Sequence, residues 1–141
     1  MSSEKLKILV LDDEPIVCKR LAPALEKLGF EVDTFTQSLE ALHQIQEVTY
    51  DIIITDLKMK GIDGMRFLQE AKSKNPATEV IVITGFATLE TAKESFQKGV
   101  FDFIAKPFKL SEIQEVVTKV TEAVKALGPA KHYIKTEAKV A

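Results

Sequence analysis

Three carboxylates, a threonine and a lysine stand where apolar runs break off along this chain. Asp12 and Asp13 follow Ile8-Leu9-Val10-Leu11, and Asp56 follows Ile52-Ile53-Ile54-Thr55. Thr84 follows Val80-Ile81-Val82-Ile83, and Lys106 follows Phe103-Ile104-Ala105. Brought together, three carboxylates repel one another and raise their own pKa values unless a cation neutralises them. Mg²⁺ suits such a group, because it takes hard oxygen ligands, few carboxylates and several retained waters. One carboxylate left free could attack phosphorus and give an aspartyl-phosphate. A lysine would then serve as a point charge for the phosphoryl oxygens, and a threonine hydroxyl could donate to one of them. Phosphoryl transfer needs mainly positioning and charge neutralisation, which a metal and a lysine supply.

Taken singly, each of these residues has a plainer reading. Asp13 could be a helix cap, Thr84 a turn hydroxyl, Lys106 a solvated surface lysine and Asp56 a turn residue. What separates the readings is the set of elements that must carry them. Ile52–Thr55 is a β-branched run bounded by Tyr50 and Leu57, the pattern of a strand covered on both faces. Lys5–Leu11, Phe30–Phe35, Val80–Ile83 and Val100–Ala105 give four more strands. Between them lie helical patterns. Pro15 opens the first, with Val17, Leu21, Leu25 and Leu28 inward, a kink at Pro23 and Gly29 as its stop. Ser38 caps the second, which carries Leu39, Leu42, Ile45 and Gln46 toward Tyr50. The third runs from Met65 to about Lys74 with Met65, Phe67, Leu68 and Ala71 inward, and Asn75-Pro76 stops it. Ala87 or Thr88 opens the fourth, closed by Gly99. Ser111-Glu112-Ile113-Gln114 has the form of a capping box for the fifth, with Ile113, Val116, Val117, Val120 and Val124 inward and Gly128-Pro129 as its end.

Strands alternating with helices call for a parallel sheet with right-handed crossovers. Five units are too few for a barrel, so the expectation is an open, doubly wound five-stranded α/β sheet. Its ligand site belongs at the carboxyl ends of the strands. Asp12, Asp13, Asp56, Thr84 and Lys106 all fall on that rim, and independent caps would not fall on four of five strand ends.

In this order and at these strand ends, the chain resembles the receiver domain of two-component response regulators. The matching residues are Asp12-Asp13, Asp56, Met59, Gly64, Thr84-Gly85 and Lys106-Pro107, with similarity from about Lys7 to Lys125. The resemblance implies a (βα)5 flavodoxin-like fold with strand order 2-1-3-4-5. It also implies a receiver domain over residues 5–126 and a tail or linker stub over 127–141. Asp56 becomes the phosphoacceptor. Asp13, Asp56 and the Lys58 carbonyl would ligate Mg²⁺, with Asp12 acting mainly through water. Lys106 would hold the phosphoryl oxygens, through a cis bond to Pro107. Thr84 and Phe103 match the family's switch pair, although Phe103 reads equally as core. Lys58 and Phe86 occupy positions that govern access of water to the acyl phosphate. One departure is Lys60, where the family usually has proline.

The expected role is a phosphorylation-activated switch and not an enzyme, phosphorylated by a histidine kinase or a histidine phosphotransfer protein. Val100–Phe108 is similar to receivers of the nitrogen-regulation type, so a fragment of a sigma54-type transcriptional activator is one alternative. A phosphorylation-independent binding module is another. Asp12-Asp13-Glu14-Pro15 is unsuited to the phosphate loop of a flavodoxin-like electron carrier. No Asp-x-Asp of the haloacid dehalogenase type follows the first strand, and no Walker loop is present. Output would pass to a downstream protein partner or an output domain, with a homodimer possible. Nineteen basic against twenty-one acidic side chains argue against a broad nucleic-acid surface. No apolar run reaches the roughly 18 residues of a membrane span. The single Cys18 cannot form an internal disulfide, and no signal peptide is evident, which fits a cytoplasmic protein. His43 and His132 show no metal-pair spacing.

Overall fold

The computed structural model describes residues 5–59 and 63–140, with side chains through residue 126. Five strands and five helices alternate: β1 (Lys7–Leu11), α1 (Pro15–Lys27), β2 (Glu31–Phe35), α2 (Ser38–Glu47) and β3 (Ile52–Thr55). They continue as α3 (Gly64–Lys74), β4 (Glu79–Thr84), α4 (Leu89–Gln97), β5 (Asp102–Ala105) and α5 (Leu110–Val140). All strands are parallel in the order β2-β1-β3-β4-β5, as the resemblance implied.

The β-branched runs are explained by burial on both faces. Along each central strand, alternate residues enter two separate cores. Ile8, Val10, Ile52, Ile54, Ile81 and Ile83 meet α1 and α5 through Leu21, Leu25, Ile113 and Val117. Leu9, Leu11, Ile53, Val80 and Val82 meet α2 and α3 through Ala41, Ile45, Phe67 and Leu68. Strands β1, β3 and β4 therefore form the buried centre, while β2 and β5 are edges with mixed burial. Phe101, Ile104 and Phe108 pack in or against the first core. The outer helix α4 is held more lightly. Ser95 is its only buried residue, and Leu89 and Phe96 are exposed.

Several local expectations are corrected. Leu28 is exposed, because α1 ends at Lys27 and Leu28 is already its C-cap before the left-handed Gly29 (φ 98°). Ser38 is the first helical residue and lies buried, with Gln37 at the N-cap position. Helix α5 starts at Leu110, before Ser111, and the Glu112 carboxylate accepts the Lys109 backbone N–H at 2.8 Å. The anticipated box is thus half present and shifted. The same helix continues past Gly128-Pro129 to Val140. An interior proline costs about 3 kcal/mol and a glycine about 1 kcal/mol, so this continuation departs from the expected stop against local propensity. Lys60 lies outside the described residues.

Candidate functional site

The parallel register sets the site. The Asp56 N–H donates to the Leu11 carbonyl (3.1 Å), drawing the end of β3 alongside the end of β1. The Asp12 N–H donates to Phe35 O (3.0 Å), and the Lys106 N–H to Thr84 O (2.9 Å). These three bonds lock the strand ends into one rim. The Lys106–Pro107 peptide is cis.

Asp56 is buried, and its two oxygens have separate environments. Oδ1 accepts the backbone N–H groups of Leu57 (2.6 Å) and Lys58 (3.2 Å). Oδ2 accepts the Lys106 ammonium at 2.8 Å. Asp12 is fully buried: its Oδ1 accepts the Glu14 N–H (2.9 Å), while Oδ2 sits 2.8 Å from Lys106 Nζ. That contact is a buried ion pair, and Asp12 Oδ2 has no other partner among the described residues. Burial pushes the Asp12 carboxyl above its usual range, against the opposing pull of Lys106. Burial would lower the Lys106 ammonium, but contacts with Asp12, Asp56 and Glu14 outweigh it and hold Lys106 protonated well above the ordinary lysine range. Asp12, Asp13 and Asp56 each offer a carboxylate oxygen within 4.8 Å of the others. Three acids and one cation leave net negative charge, the condition in which a hard divalent ion binds.

Gly64 fixes the loop that follows Asp56. Its N–H donates to Leu57 O at 2.7 Å, and Asp63 caps α3 by accepting the Arg66 N–H. A β-carbon at residue 64 would run into the Asp56 carbonyl and the Leu57 backbone, so only glycine lets α3 approach this closely.

The remaining expected residues divide. Thr84 is fully buried, and its hydroxyl accepts the Phe86 N–H at 3.0 Å. Phe103 is partly buried and packs against the core on the α2–α3 side. Lys58 and Phe86 are brought together across two loops, with the ammonium 4.1 Å from the ring centroid. That pairing was not apparent from sequence, where the two stand 28 residues apart. In the sequence Glu14 stands only as one of the acids that make Asp12-Asp13-Glu14-Pro15 unsuited to a phosphate loop. In the structure its Oε1 lies 2.6 Å from Lys106 Nζ. The available signal was an acid following Asp12-Asp13 on the same strand end. His43 is exposed on α2.

Residues 8–118 match the family model of the response regulator receiver domain. The chain belongs to that family. It is 32% identical over 133 residues to the transcriptional regulatory protein ZraR of Escherichia coli K12, covering 92% of this chain and 30% of the relative. It is 32% identical over 117 residues to the DNA-binding transcriptional regulator NtrC of the same organism, covering 83% of this chain and 24% of that protein. The chain thus spans under a third of these relatives' length, and its similarity lies with nitrogen-regulation-type receivers. Among solved structures, a response regulator receiver domain protein from Clostridium thermocellum superposes with a TM-score of 0.79 at 33% identity, covering 86% of this chain and 98% of that one. No helix among the described residues is long and apolar enough to cross a membrane.

Proposed function

We infer that this receiver works as a phosphorylation-operated switch in a two-component phosphorelay, with Asp56 as the phosphoacceptor. The observation that carries this reading is Lys106 Nζ, 2.8 Å from both Asp56 Oδ2 and Asp12 Oδ2 at the rim of the sheet. A cation held there by the last strand stands where phosphoryl oxygens bonded to Asp56 would need a countercharge. In the step itself, an Asp56 oxygen forms a bond to phosphorus as the bond to the donor's imidazole nitrogen, or to the acyl oxygen of acetyl phosphate, breaks. The leaving group departs with that electron pair.

The donor set fits Mg²⁺: three carboxylates with oxygens within 4.8 Å of one another, against a single lysine. Asp13, Asp56 and the Lys58 carbonyl would hold the ion, with Asp12 through water. Bound Mg²⁺ supplies the charge neutralisation that lets an anionic donor approach. The residues of the chain do the positioning. The Leu57 and Lys58 N–H groups fix the Asp56 carboxylate plane, and Lys106 takes the phosphoryl oxygens. Thr84 exchanges its Phe86 N–H partner for the phosphoryl group, and Phe103 follows into the space behind it.

Signal output then runs through α4, β5 and α5, where α4 has one buried residue to hold it. Lys58 and Phe86 stand at the mouth and limit water's access to the acyl phosphate. Histidine kinases or histidine phosphotransfer proteins are the proposed donors. A protein partner, or an output domain like those of the longer relatives, is the proposed receiver of the signal. Residues 5–126 form the receiver unit, and 127–141 act as a tail or linker.

Incubation with Mg²⁺ and acetyl phosphate, read by intact mass, tests the central assignment. One phosphoryl adduct is expected, absent in Asp56→Asn. No adduct from acetyl phosphate or any donor kinase would sink the switch in favour of a phosphorylation-independent binding module.

A further inference from the structure

Glu14 occupies the N-cap position of α1, yet its side chain makes no capping hydrogen bond. A side chain that caps from that position turns back onto the first free N–H groups of its own helix. Here the carboxylate turns the other way and reaches Lys106, 92 residues further along the chain, at 2.6 Å. The Glu14 backbone is fixed by Asp12, whose Oδ1 accepts the Glu14 N–H and whose own side chain is fully buried.

The ammonium of Lys106 has three N–H groups and three carboxylates around it. Two of the contacts are directed hydrogen bonds, those to Asp56 Oδ2 and to Glu14 Oε1. The third neighbour, buried Asp12 Oδ2, lies 2.8 Å from the ammonium as an ion pair. The most exposed of the three acids makes the shortest contact. Glu14 thus holds the ammonium from the solvent side of the site.

We propose that Glu14 is a resting-state tether on Lys106, a positioning residue that competes with the incoming phosphoryl oxygens for the ammonium. The inference rests on the reading of Lys106 as the phosphoryl-binding cation. Phosphorylation replaces the Glu14 contact with a phosphoryl oxygen, so the Glu14–Lys106 pair sets how much of the binding energy of that anion is used in displacing a carboxylate. The tether raises the threshold for switching and leaves the acceptor chemistry untouched.

Two variants separate a tether from a simple charge effect. Glu14→Gln removes the charge. Glu14→Asp keeps the charge but is one methylene shorter and cannot span the contact. Beryllofluoride affinity is measured by NMR titration at saturating Mg²⁺, with the Mg²⁺ dissociation constant and unfolding stability of each variant measured separately. Both variants should bind beryllofluoride about two- to fivefold more tightly than the wild type, the range an exposed ion pair supports. Tightening in Glu14→Gln alone would mean that bulk repulsion, not the contact, is responsible, and overturns the tether. Unchanged or weaker binding in both overturns it as well. A wild-type chain that binds Mg²⁺ but no beryllofluoride would overturn the phosphoacceptor reading itself, which is a different result from equal binding by all three proteins.

Discussion

Replacing Gly64 with alanine tests whether α3 approaches the Asp56 loop as tightly as the structure shows. The added β-carbon would meet Asp56 O, Leu57 Cα and Leu57 O, all backbone atoms that cannot swing aside as a side chain can. Overpacking of this kind costs about 1–3 kcal/mol. Lengthening the 2.7 Å bond from the Gly64 N–H to Leu57 O removes up to about 1 kcal/mol more. Alanine's better helix propensity returns at most about 1 kcal/mol, and less at the first helical residue. The net expectation is a loss of about 2 kcal/mol, or roughly 6–8 °C in Tm for a chain of this size. Urea and thermal unfolding followed by circular dichroism measure it, with Gly85→Ala as the control. Gly85 sits at the same rim and has no positive φ, and a β-carbon added there would meet nothing within 4 Å, so it should tolerate the change. Gly64→Ala stability within about 0.5 kcal/mol of wild type, the ordinary range for a neutral surface change, would refute the close-approach argument.

Other parts of the fold give further expectations. Burial and the hydrogen bond to Asp33 (2.5 Å) push the Tyr50 hydroxyl up to about 12. With an unfolded value near 10, the linked stability is complete below pH 10 and is lost as pH rises toward 12. Denaturant unfolding at pH 9 and 11.5 should therefore show a steeper alkaline loss in the wild type than in Tyr50→Phe, by about 2 kcal/mol; parallel losses would exclude the linkage. Phe86→Ala should speed dephosphorylation of the Asp56 adduct, and Lys58→Ala should add little on top, because the two act through one ring contact at 4.1 Å; independent, additive effects would count against a shared shield. Mg²⁺ should raise the unfolding temperature and EDTA reverse the gain, about 1.4 kcal/mol for each tenfold excess over Kd. Asp13→Asn should abolish the gain, and a Mg²⁺ effect that persists in that variant would move the ion elsewhere.

Much of the fold could be read from the sequence because the central strands are buried on both faces. That requirement permits little but Ile, Val and Leu at Ile8–Leu11, Ile52–Ile54 and Val80–Ile83, and leaves an unmistakable run. Each run breaks off at the sheet's rim, so Asp12, Asp56, Thr84 and Lys106 were legible as a set before their distances were known. Helix termini were less legible. Ser38 and Ser111 have the right chemistry for caps, but a cap differs from its neighbour by backbone dihedral alone, which a serine does not dictate. Leu28 continued the apolar spacing of α1 one residue past the point where Gly29 had already turned the chain. The pairing of Lys58 with Phe86 left no trace in spacing, and that of Glu14 with Lys106 only the place of an acid after Asp12-Asp13, since both join loops that the finished sheet brings together.

The place of Lys106 in the chain has a consequence for synthesis. β5 is the last strand made and sits at the edge of the sheet, paired only with β4. Asp12, Asp13 and Asp56 leave the ribosome well before it, so the acids of the rim exist for part of translation without their built-in cation. The proposed phosphoryl-binding set is therefore complete only once the final strand has docked. On that proposal, a chain that stops or is cut before residue 106 keeps Asp56 but lacks the lysine that would hold the phosphoryl oxygens.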